Sequence, residues 1–183
     1  MALGKEDRRR RRTGLGLPAA MLLALACPPG RPGRAQPAAA GEDILGTWIL
    51  VSVVSRMEDG TEGEPFGPDP KGIMIFARDG HVSLFQSRAS LPRLAANDRA
   101  RVTPEEATAI VRDSIACYGT YAVEEAGRSL SVRLEGSTYA NLLGGPAARR
   151  IITALTATEL RFSNPRTPNG MTLLTAWRRT GPR

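Results

Sequence analysis

The sequence contains little of what catalytic and metal sites are usually built from. Its 183 residues include one histidine and two cysteines, and 5% of them are aromatic. The motifs His-Glu-x-x-His, Cys-x-x-Cys and Gly-x-Ser-x-Gly are missing, as are phosphate-binding glycine loops. A metal site made of His and Cys ligands is therefore not expected, and neither a metal ion nor a cofactor is predicted.

The basic excess is confined to the first part of the chain. The formal net charge of the whole sequence is +7. Residues 1–41 hold eight Lys and Arg against two Asp and Glu, which leaves a net charge of +1 for residues 42–183. A globular part with so little net charge lacks the basic surface that polyanion binding requires, so nucleic acid is not an expected partner.

Residues 1–26 have the features of a signal peptide. A basic block, Arg8 to Arg12, precedes the apolar run of residues 15–26, which is too short to span a bilayer but suits a signal-peptide core. Arg11 and Arg12 give a loose match to a twin-arginine signal, and a general secretory signal fits equally well. Either route predicts a periplasmic or secreted protein.

Two outcomes of signal cleavage stay open. Ala24-Leu25-Ala26 is a small-x-small site directly before Cys27, and a Cys at that point resembles the acylated Cys of bacterial lipoproteins. Gly33-Arg34-Ala35 is a second candidate site, with cleavage before Gln36. The first expectation is a soluble product, and the alternative is a membrane-anchored lipoprotein acylated at Cys27. Residues 27–41 are rich in Pro, Gly and Ala without periodicity and are predicted to be a linker. Membrane contact is expected only through the signal peptide or such an anchor.

The domain predicted for residues 42–183 opens with a strong strand signal. Residues 46–55 are an unbroken apolar and β-branched run that begins with Gly-x-Trp. Residues of this kind suit a strand buried on both faces. Trp48, at the start of that strand, is predicted to plug one end of a small barrel.

Turn and cap signals divide the rest of the domain. Asp59-Gly60 and Asp79-Gly80 predict hairpins because both residue types tolerate positive φ. Thr103-Pro104-Glu105-Glu106 predicts a helix start with a capping box. The apolar spacing that follows predicts a helix as far as Tyr118, with Gly119 as its stop.

Eight or nine short strands with hairpin-length spacing and one mid-chain helix predict a mainly β fold, an antiparallel β-barrel. A β-sandwich is the competing fold. About eight strands enclose enough space for one small ligand. The apolar residues predicted to line that interior are Ile73, Ile75, Val82, Leu84, Leu130, Val132, Leu134, Leu160 and Phe162.

An ordered series of short motifs resembles the bacterial lipocalin-like domain family, and more distantly the lipocalins proper. The series covers residues 45–179 and includes Gly46-Thr47-Trp48, Thr103-Pro104-Glu105-Glu106, Tyr118-Gly119-Thr120-Tyr121, Glu135-Gly136-Ser137 and Trp177-Arg178. The resemblance implies a lipocalin-like barrel that binds a small apolar or amphipathic molecule in its interior. Family members often carry a His on the strand before Glu-Gly-Ser, and Val132 occupies that position here. The resemblance also implies that Arg178 or Arg179 lies across the Trp48 ring, and of the two Arg178 is predicted to be this structural partner.

Several residues are candidates for ligand contact. The rings of Tyr118, Tyr121, Tyr139 and Phe85 could stack on a ligand, although core packing is the alternative for the tyrosines. Arg149, with Arg150 beside it, is a candidate for binding an anionic head group, and a solvated strand start is the alternative. Cys117 is expected to be a small buried apolar residue.

An enzyme is the second class of function that stays open. An isomerase or cyclase using the same pocket would need an acid or base, and the candidates are His81, Glu135 or a Tyr. His81 follows a tight turn, where a polar residue at a hairpin mouth is the simpler interpretation. The oligomeric state is not predicted.

Overall fold

A computed structural model describes residues 43–124, 128–167 and 170–181, all of which belong to the second of two units into which the chain divides, Gln36–Arg183. The predicted signal peptide (1–26) and linker (27–41), with Cys27, lie outside the described residues. The helical segments described are α1 (Pro104–Asp113) and two short 3-10 turns (Arg99–Arg101 and Ala140–Leu142). The strands are β1 (Gly46–Arg56), β2 (Glu62–Gly63), β3 (Lys71–Phe76), β4 (His81–Ser87), β5 (Ser114–Glu124), β6 (Ser129–Ser137), β7 (Ala148–Leu155), β8 (Glu159–Ser163) and β9 (Thr172–Arg179).

These strands form a closed barrel. From β3 to β9 each strand pairs with the next in sequence, and β1 pairs with both β3 and β9. Closure leaves no long unpaired edge, which is how small barrels avoid edge-to-edge association. The two-residue strand β2 pairs only with the end of β1, and the segment after it contains Pro65, Pro68 and Pro70, which lack the N–H donors of a longer paired strand. The predicted antiparallel lipocalin-like barrel is therefore confirmed, with eight closed strands and one extra, and the β-sandwich alternative is wrong.

The first strand reaches the core through a register irregularity. Leu50 and Val53 are both buried, although strict alternation would place residues three apart on opposite faces. The β1–β9 pairing shifts between Leu50 and Ser52, and the extra residue restores Val53 to the interior. Val51 is 51% exposed on the outside. The prediction of a strand buried on both faces is therefore wrong at this position.

Both predicted Asp-Gly turns are present, but only the Gly of each adopts the positive φ that was expected of both residues. Gly60 and Gly80 have φ of 85° and 88°, whereas the Asp before each keeps a negative φ. The Oδ1 atom of Asp59 accepts a hydrogen bond from the Thr61 backbone N–H at 2.9 Å, and Asp79 does the same for His81 at 3.1 Å. Each Asp therefore stabilises its turn through its side chain, and only the Gly needs the left-handed conformation.

The mid-chain helix begins as predicted and ends early. Thr103 Oγ1 accepts from the Glu106 N–H at 3.2 Å, and the Glu106 carboxylate accepts from the Thr103 N–H at 3.0 Å, which completes the capping box. The predicted extension to Tyr118 is wrong, because β5 starts at Ser114 and pairs with β4 from there. Pairing with a neighbouring strand outweighs a weak helical periodicity. Of the helices in the described part, none is long and apolar enough to cross a membrane.

The inward and outward faces of β3 are the reverse of the prediction. Met74 and Phe76 are buried, whereas Ile73 and Ile75 are 38% and 41% exposed on the outer surface. All four residues are apolar, so their sequence does not show which alternate pair faces inward. The other predicted lining residues are buried or half-buried in the interior: Val82, Leu84, Leu130, Val132, Leu134, Leu160 and Phe162.

Candidate ligand cavity

One end of the barrel is closed by Trp48 and Arg179. The guanidinium carbon of Arg179 lies 4.0 Å from the centroid of the Trp48 ring, a cation–π contact. Trp48 Nε1 donates to the carbonyl oxygen of Ile44 at 2.8 Å, and Arg179 donates to the carbonyl oxygen of Ala157 at 2.9 Å. Of the two arginines considered for this contact, Arg178 is the exposed one, so the assignment of Arg178 as the structural partner is corrected to Arg179.

The same contact explains the glycine of the Gly-x-Trp motif. Gly46 has a φ of 111°, a conformation that side chains rarely adopt. A Cβ at this position would also lie 3.0 Å from Arg179 Nη1. Gly46 therefore lets the chain turn into β1 beneath the arginine.

A cavity occupies the other end of the barrel. Its volume is about 340 Å³, which is within the range of small-molecule sites. Side chains from several strands supply its apolar walls: Leu84, Val132, Leu134, Phe162 and Leu173. Its mouth is formed by exposed residues between β6 and β7 and after β8, among them Leu142, Pro146, Pro165 and Arg166.

Few polar side chains line this cavity, and some of them already form a hydrogen bond or an ion pair within the protein. Thr175 Oγ1 accepts a hydrogen bond from Trp177 Nε1 at 3.0 Å. Arg166, at the mouth, forms an ion pair with Glu58. The remaining polar side chains of the lining include Gln86, Arg150 and Asn164.

Arg150 is the cation inside the cavity, and the alternation of β7 places it there. Arg149 and Ile151 face outward, so Arg150 faces inward with Ala148 and Ile152. Its Nε donates to Asn164 Oδ1 at 2.8 Å, and its guanidinium carbon lies 5.5 Å from the centroid of the Phe162 ring. Burial lowers the pKa of the Arg150 guanidinium below its ordinary value, because desolvation disfavours the charged form.

Cys117 lies in the wall beside Arg150. Burial raises the pKa of its thiol, and the nearby positive charge of Arg150 only partly offsets that effect. A thiol with a raised pKa is neutral at neutral pH and therefore a poor nucleophile. Cys117 is buried, in agreement with its predicted role as a small apolar residue.

The structure does not bring the predicted ligand contacts to the cavity. Phe85, Tyr118 and Tyr139 are 40%, 55% and 51% exposed, and Arg149 lies on the outer face of β7. Tyr121 faces inward at the closed end, where its hydroxyl donates to the Ala77 carbonyl oxygen at 2.9 Å. Its ring packs edge-on to Phe76 with centroids 4.9 Å apart. Phe85, Tyr118 and Arg149 are thus kept from the cavity lining by their outward direction on a strand, Tyr139 by its exposed position after β6, and Tyr121 by its place at the closed end.

The candidate acid and base of the enzyme hypothesis also lie outside the cavity. His81 is exposed at the start of β4, with Nδ1 at 3.1 Å from Asp79 Oδ1. Glu135 is exposed on β6, and Val132, in the position where relatives often have a His, lines the cavity. Within residues 43–124, 128–167 and 170–181, no group of three or more His, Cys, Asp or Glu could hold a metal ion.

Sequence reasoning missed Arg150 and Asn164. The signal that could have identified Arg150 is the alternation of side chains along β7, because inward-facing residues of a strand lie two positions apart. With two adjacent arginines, the inward one is identified only when β7 is paired with β6, where Arg150 lies opposite Leu130. Asn164 gave a turn signal as part of Asn-Pro, and nothing in the sequence indicated that its side chain would face Arg150.

A closed eight-stranded antiparallel barrel with an interior cavity defines the class of protein. The model of the lipocalin-like domain family matches residues 45–180, which is most of the chain. The chain belongs to this lipocalin-like domain family. No curated protein matches the sequence.

Solved structures similar to this chain are barrels with low sequence identity. A redesigned beta barrel, mFAP1, bound to DFHBI is 20% identical with a TM-score of 0.39, covering 78% of this chain and 100% of its own. Bovine odorant binding protein in complex with a selenium-containing odorant is 15% identical with a TM-score of 0.39, covering 84% of this chain and 79% of its own.

Proposed function

We propose that this protein binds one small apolar or amphipathic molecule in the cavity at the open end of its barrel. The observation that carries the proposal is the cavity itself, about 340 Å³ in volume and walled mainly by Leu, Val and Phe side chains. Sites of this size with apolar walls and few polar groups are typical of small-molecule binding. The fold alone would not support this function, because barrels of one fold serve many purposes.

Fluorescence titration with the uncharged dye N-phenyl-1-naphthylamine tests the proposal. The dye is expected to brighten on binding to the wild-type protein, because transfer to an apolar site excludes water. The variant Leu134→Trp adds a large ring to the cavity wall and is expected to weaken dye binding by about tenfold or more, equivalent to about 1.4 kcal/mol. Ala148→Phe is a second cavity-filling variant, for use if Leu134→Trp does not fold.

The matched control is Ile73→Trp, which adds the same ring on the outer surface of the barrel. It is expected to bind the dye like the wild-type protein. Absence of dye binding by the folded wild-type protein would contradict the proposal. Equal losses in Ile73→Trp and Leu134→Trp would show that the dye binds elsewhere.

We propose further that the protein is exported. The support is in the sequence: the basic block, the short apolar run and the small-residue cleavage sites of residues 1–35. N-terminal sequencing of the protein from its own host is expected to begin beyond these sites, and a protein that begins at Met1 or Ala2 would contradict export. If Cys27 is acylated, metabolic labelling with a fatty acid is lost in Cys27→Ala.

A further inference from the structure

We propose that the molecule bound in the cavity carries a carboxylate, and that Arg150 is the residue that binds it. This inference rests on the proposed function, since it names the chemical class of the molecule in the same cavity. The apolar walls would hold the body of the ligand, and the guanidinium of Arg150 would hold its charged end.

The first support is the unbalanced charge of Arg150. Arg150 is half-buried in the cavity wall. A charge partly withdrawn from water is normally stabilised by an opposite charge, because it has lost part of the water that would solvate it. Among the described residues, Arg150 forms no ion pair with a carboxylate, and its hydrogen-bond partner is the neutral amide of Asn164. Arg166 at the mouth of the same cavity does have such a partner, Glu58. A carboxylate on the ligand would supply the negative charge that the described residues do not place beside Arg150.

The second support is the geometry of the guanidinium group. The hydrogen bond to Asn164 Oδ1 comes from Nε of Arg150. Within the described residues, the two terminal nitrogens of the guanidinium donate to no protein group. Phe162 packs against the guanidinium, and the Asn164 backbone N–H donates to the Leu173 carbonyl oxygen at 2.8 Å, which fixes the position of Asn164. A planar fork of donors held in this way matches the two oxygens of a carboxylate.

The third support is the mainly apolar surroundings of Arg150, the inner of the two arginines that line the cavity. The walls that surround Arg150 are formed by side chains such as Leu84, Val132 and Leu134, which offer no hydrogen bonds. A ligand with many polar groups would lose hydration there without compensation. A single charged group on an apolar body fits the arrangement, which favours an amphiphilic carboxylic acid over a sugar or a nucleotide.

Competition against bound N-phenyl-1-naphthylamine at pH 8 tests the inference, with three ligands of equal chain length: decanoate, decanol and decylamine. Decanoate is expected to displace the dye from the wild-type protein at a concentration about tenfold to a hundredfold lower than decanol, the range for a hydrogen-bonded charged group. Decylamine is expected to be the weakest of the three, because its charge repels that of Arg150.

Three variants identify the residue responsible. Arg150→Met is expected to bind the dye but to lose the preference for decanoate over decanol. Arg149→Met removes an arginine from the outer face of the same strand and is expected to keep the preference in full. Asn164→Asp would place a carboxylate of the chain on Arg150, and it is expected to abolish the preference even if Arg150→Met does not fold.

The outcomes separate this inference from the proposed function. If the wild-type protein binds the dye and decanoate displaces it no better than decanol, the carboxylate inference is wrong and the proposed function stands. A preference that survives in both Arg150→Met and Asn164→Asp would also overturn it. If the wild-type protein does not bind the dye at all, the proposed function fails and this inference fails with it.

Discussion

The guanidinium of Arg179 lies over the face of the Trp48 ring, with 4.0 Å between the guanidinium carbon and the ring centroid. Trp48 belongs to the first strand of the barrel and Arg179 to the last, and the two residues lie directly opposite each other in the β1–β9 pairing that closes it. Arg179 also donates hydrogen bonds to the backbone carbonyls of Leu45 and Asp43, which precede β1. Closure of the barrel and sealing of its end therefore depend on the same two side chains.

Replacing Trp48 by Ala is expected to destabilise the protein by about 3–5 kcal/mol, the usual cost of deleting a large buried aromatic side chain. Trp48 is fully buried, and its loss also removes the hydrogen bond to Ile44. Urea denaturation of the wild-type protein and the variant gives the difference. A loss below about 1 kcal/mol would mean that Trp48 does not plug the barrel.

The adjacent arginines of β9 provide a matched pair of variants. Arg179→Met is expected to destabilise the protein by about 1–3 kcal/mol, because it removes the cation–π contact with the buried Trp48 ring and leaves partly buried carbonyl groups without donors. Arg178→Met, on the exposed face of the same strand, is expected to change stability by about 0.5 kcal/mol or less. Similar losses in the two variants, measured by urea denaturation, would contradict the assignment of Arg179 as the sealing residue.

Gly119 allows β5 and β6 to approach closely where their register shifts. A Cβ at this position would lie 2.0 Å from the carbonyl oxygen of Arg133, which is backbone and cannot rotate away. Gly119→Ala is therefore expected to destabilise the protein by about 1–3 kcal/mol in thermal or urea denaturation. The control is Gly145→Ala, where nothing lies within 4 Å of the added Cβ. Equal stabilities of the two variants would contradict the close approach.

The sequence predicted the parts of the fold that depend on local chemistry. The Asp79-Gly80 hairpin and the Thr103 capping box are made by residues near one another in the chain, so their signals do not depend on the rest of the barrel. The order of the strands followed from their spacing. The inward parity of an all-apolar strand such as β3 is set by its pairing partners, which explains why Ile73 and Ile75 were placed on the wrong face.

The candidate site was predicted less well than the fold for the same reason. Their ring chemistry makes the aromatic residues candidates for ligand contact, but whether Phe85 or Tyr118 faces the interior depends on pairing with other strands. The apolar spacing continues past Asp113 and predicts a longer helix, whereas pairing of the next residues with β4 ends the helix there. The contact between Arg150 and Asn164 joins residues fourteen positions apart on neighbouring elements, and no local signal encodes it.

The end of α1 is expected to contribute a pH-dependent part of the stability. Arg112, and to a smaller extent Arg88, hold the pKa of the Asp113 carboxyl below its ordinary value through hydrogen bonds and charge. A carboxyl with a lowered folded-state pKa contributes stability that is present above its unfolded pKa of about 3.9 and is lost as the pH falls through the folded value.

Urea denaturation as a function of pH checks this contribution. Asp113→Asn is expected to be less stable than the wild-type protein at pH 6, and the difference should shrink as the pH falls below about 4. Asp69→Asn, which changes an exposed carboxylate paired with Lys71, is the control and should show a smaller difference at pH 6. A difference for Asp113→Asn that does not change between pH 6 and pH 2 would contradict the electrostatic origin.

The last prediction separates binding from catalysis. His81 lies at the start of β4 with its side chain exposed on the outer face, whereas Leu84, the nearest residue of that strand in the cavity wall, faces inward three residues further along, about 10 Å away at the usual rise per residue. His81→Ala is therefore expected to leave dye binding within about tenfold of the wild-type value, or under about 1.4 kcal/mol, whereas Leu134→Trp should weaken it by more. If a host metabolite is turned over by the wild-type protein and His81→Ala abolishes the turnover, then the chain is an enzyme with its chemistry at the hairpin end, and the proposal of a binding protein is wrong.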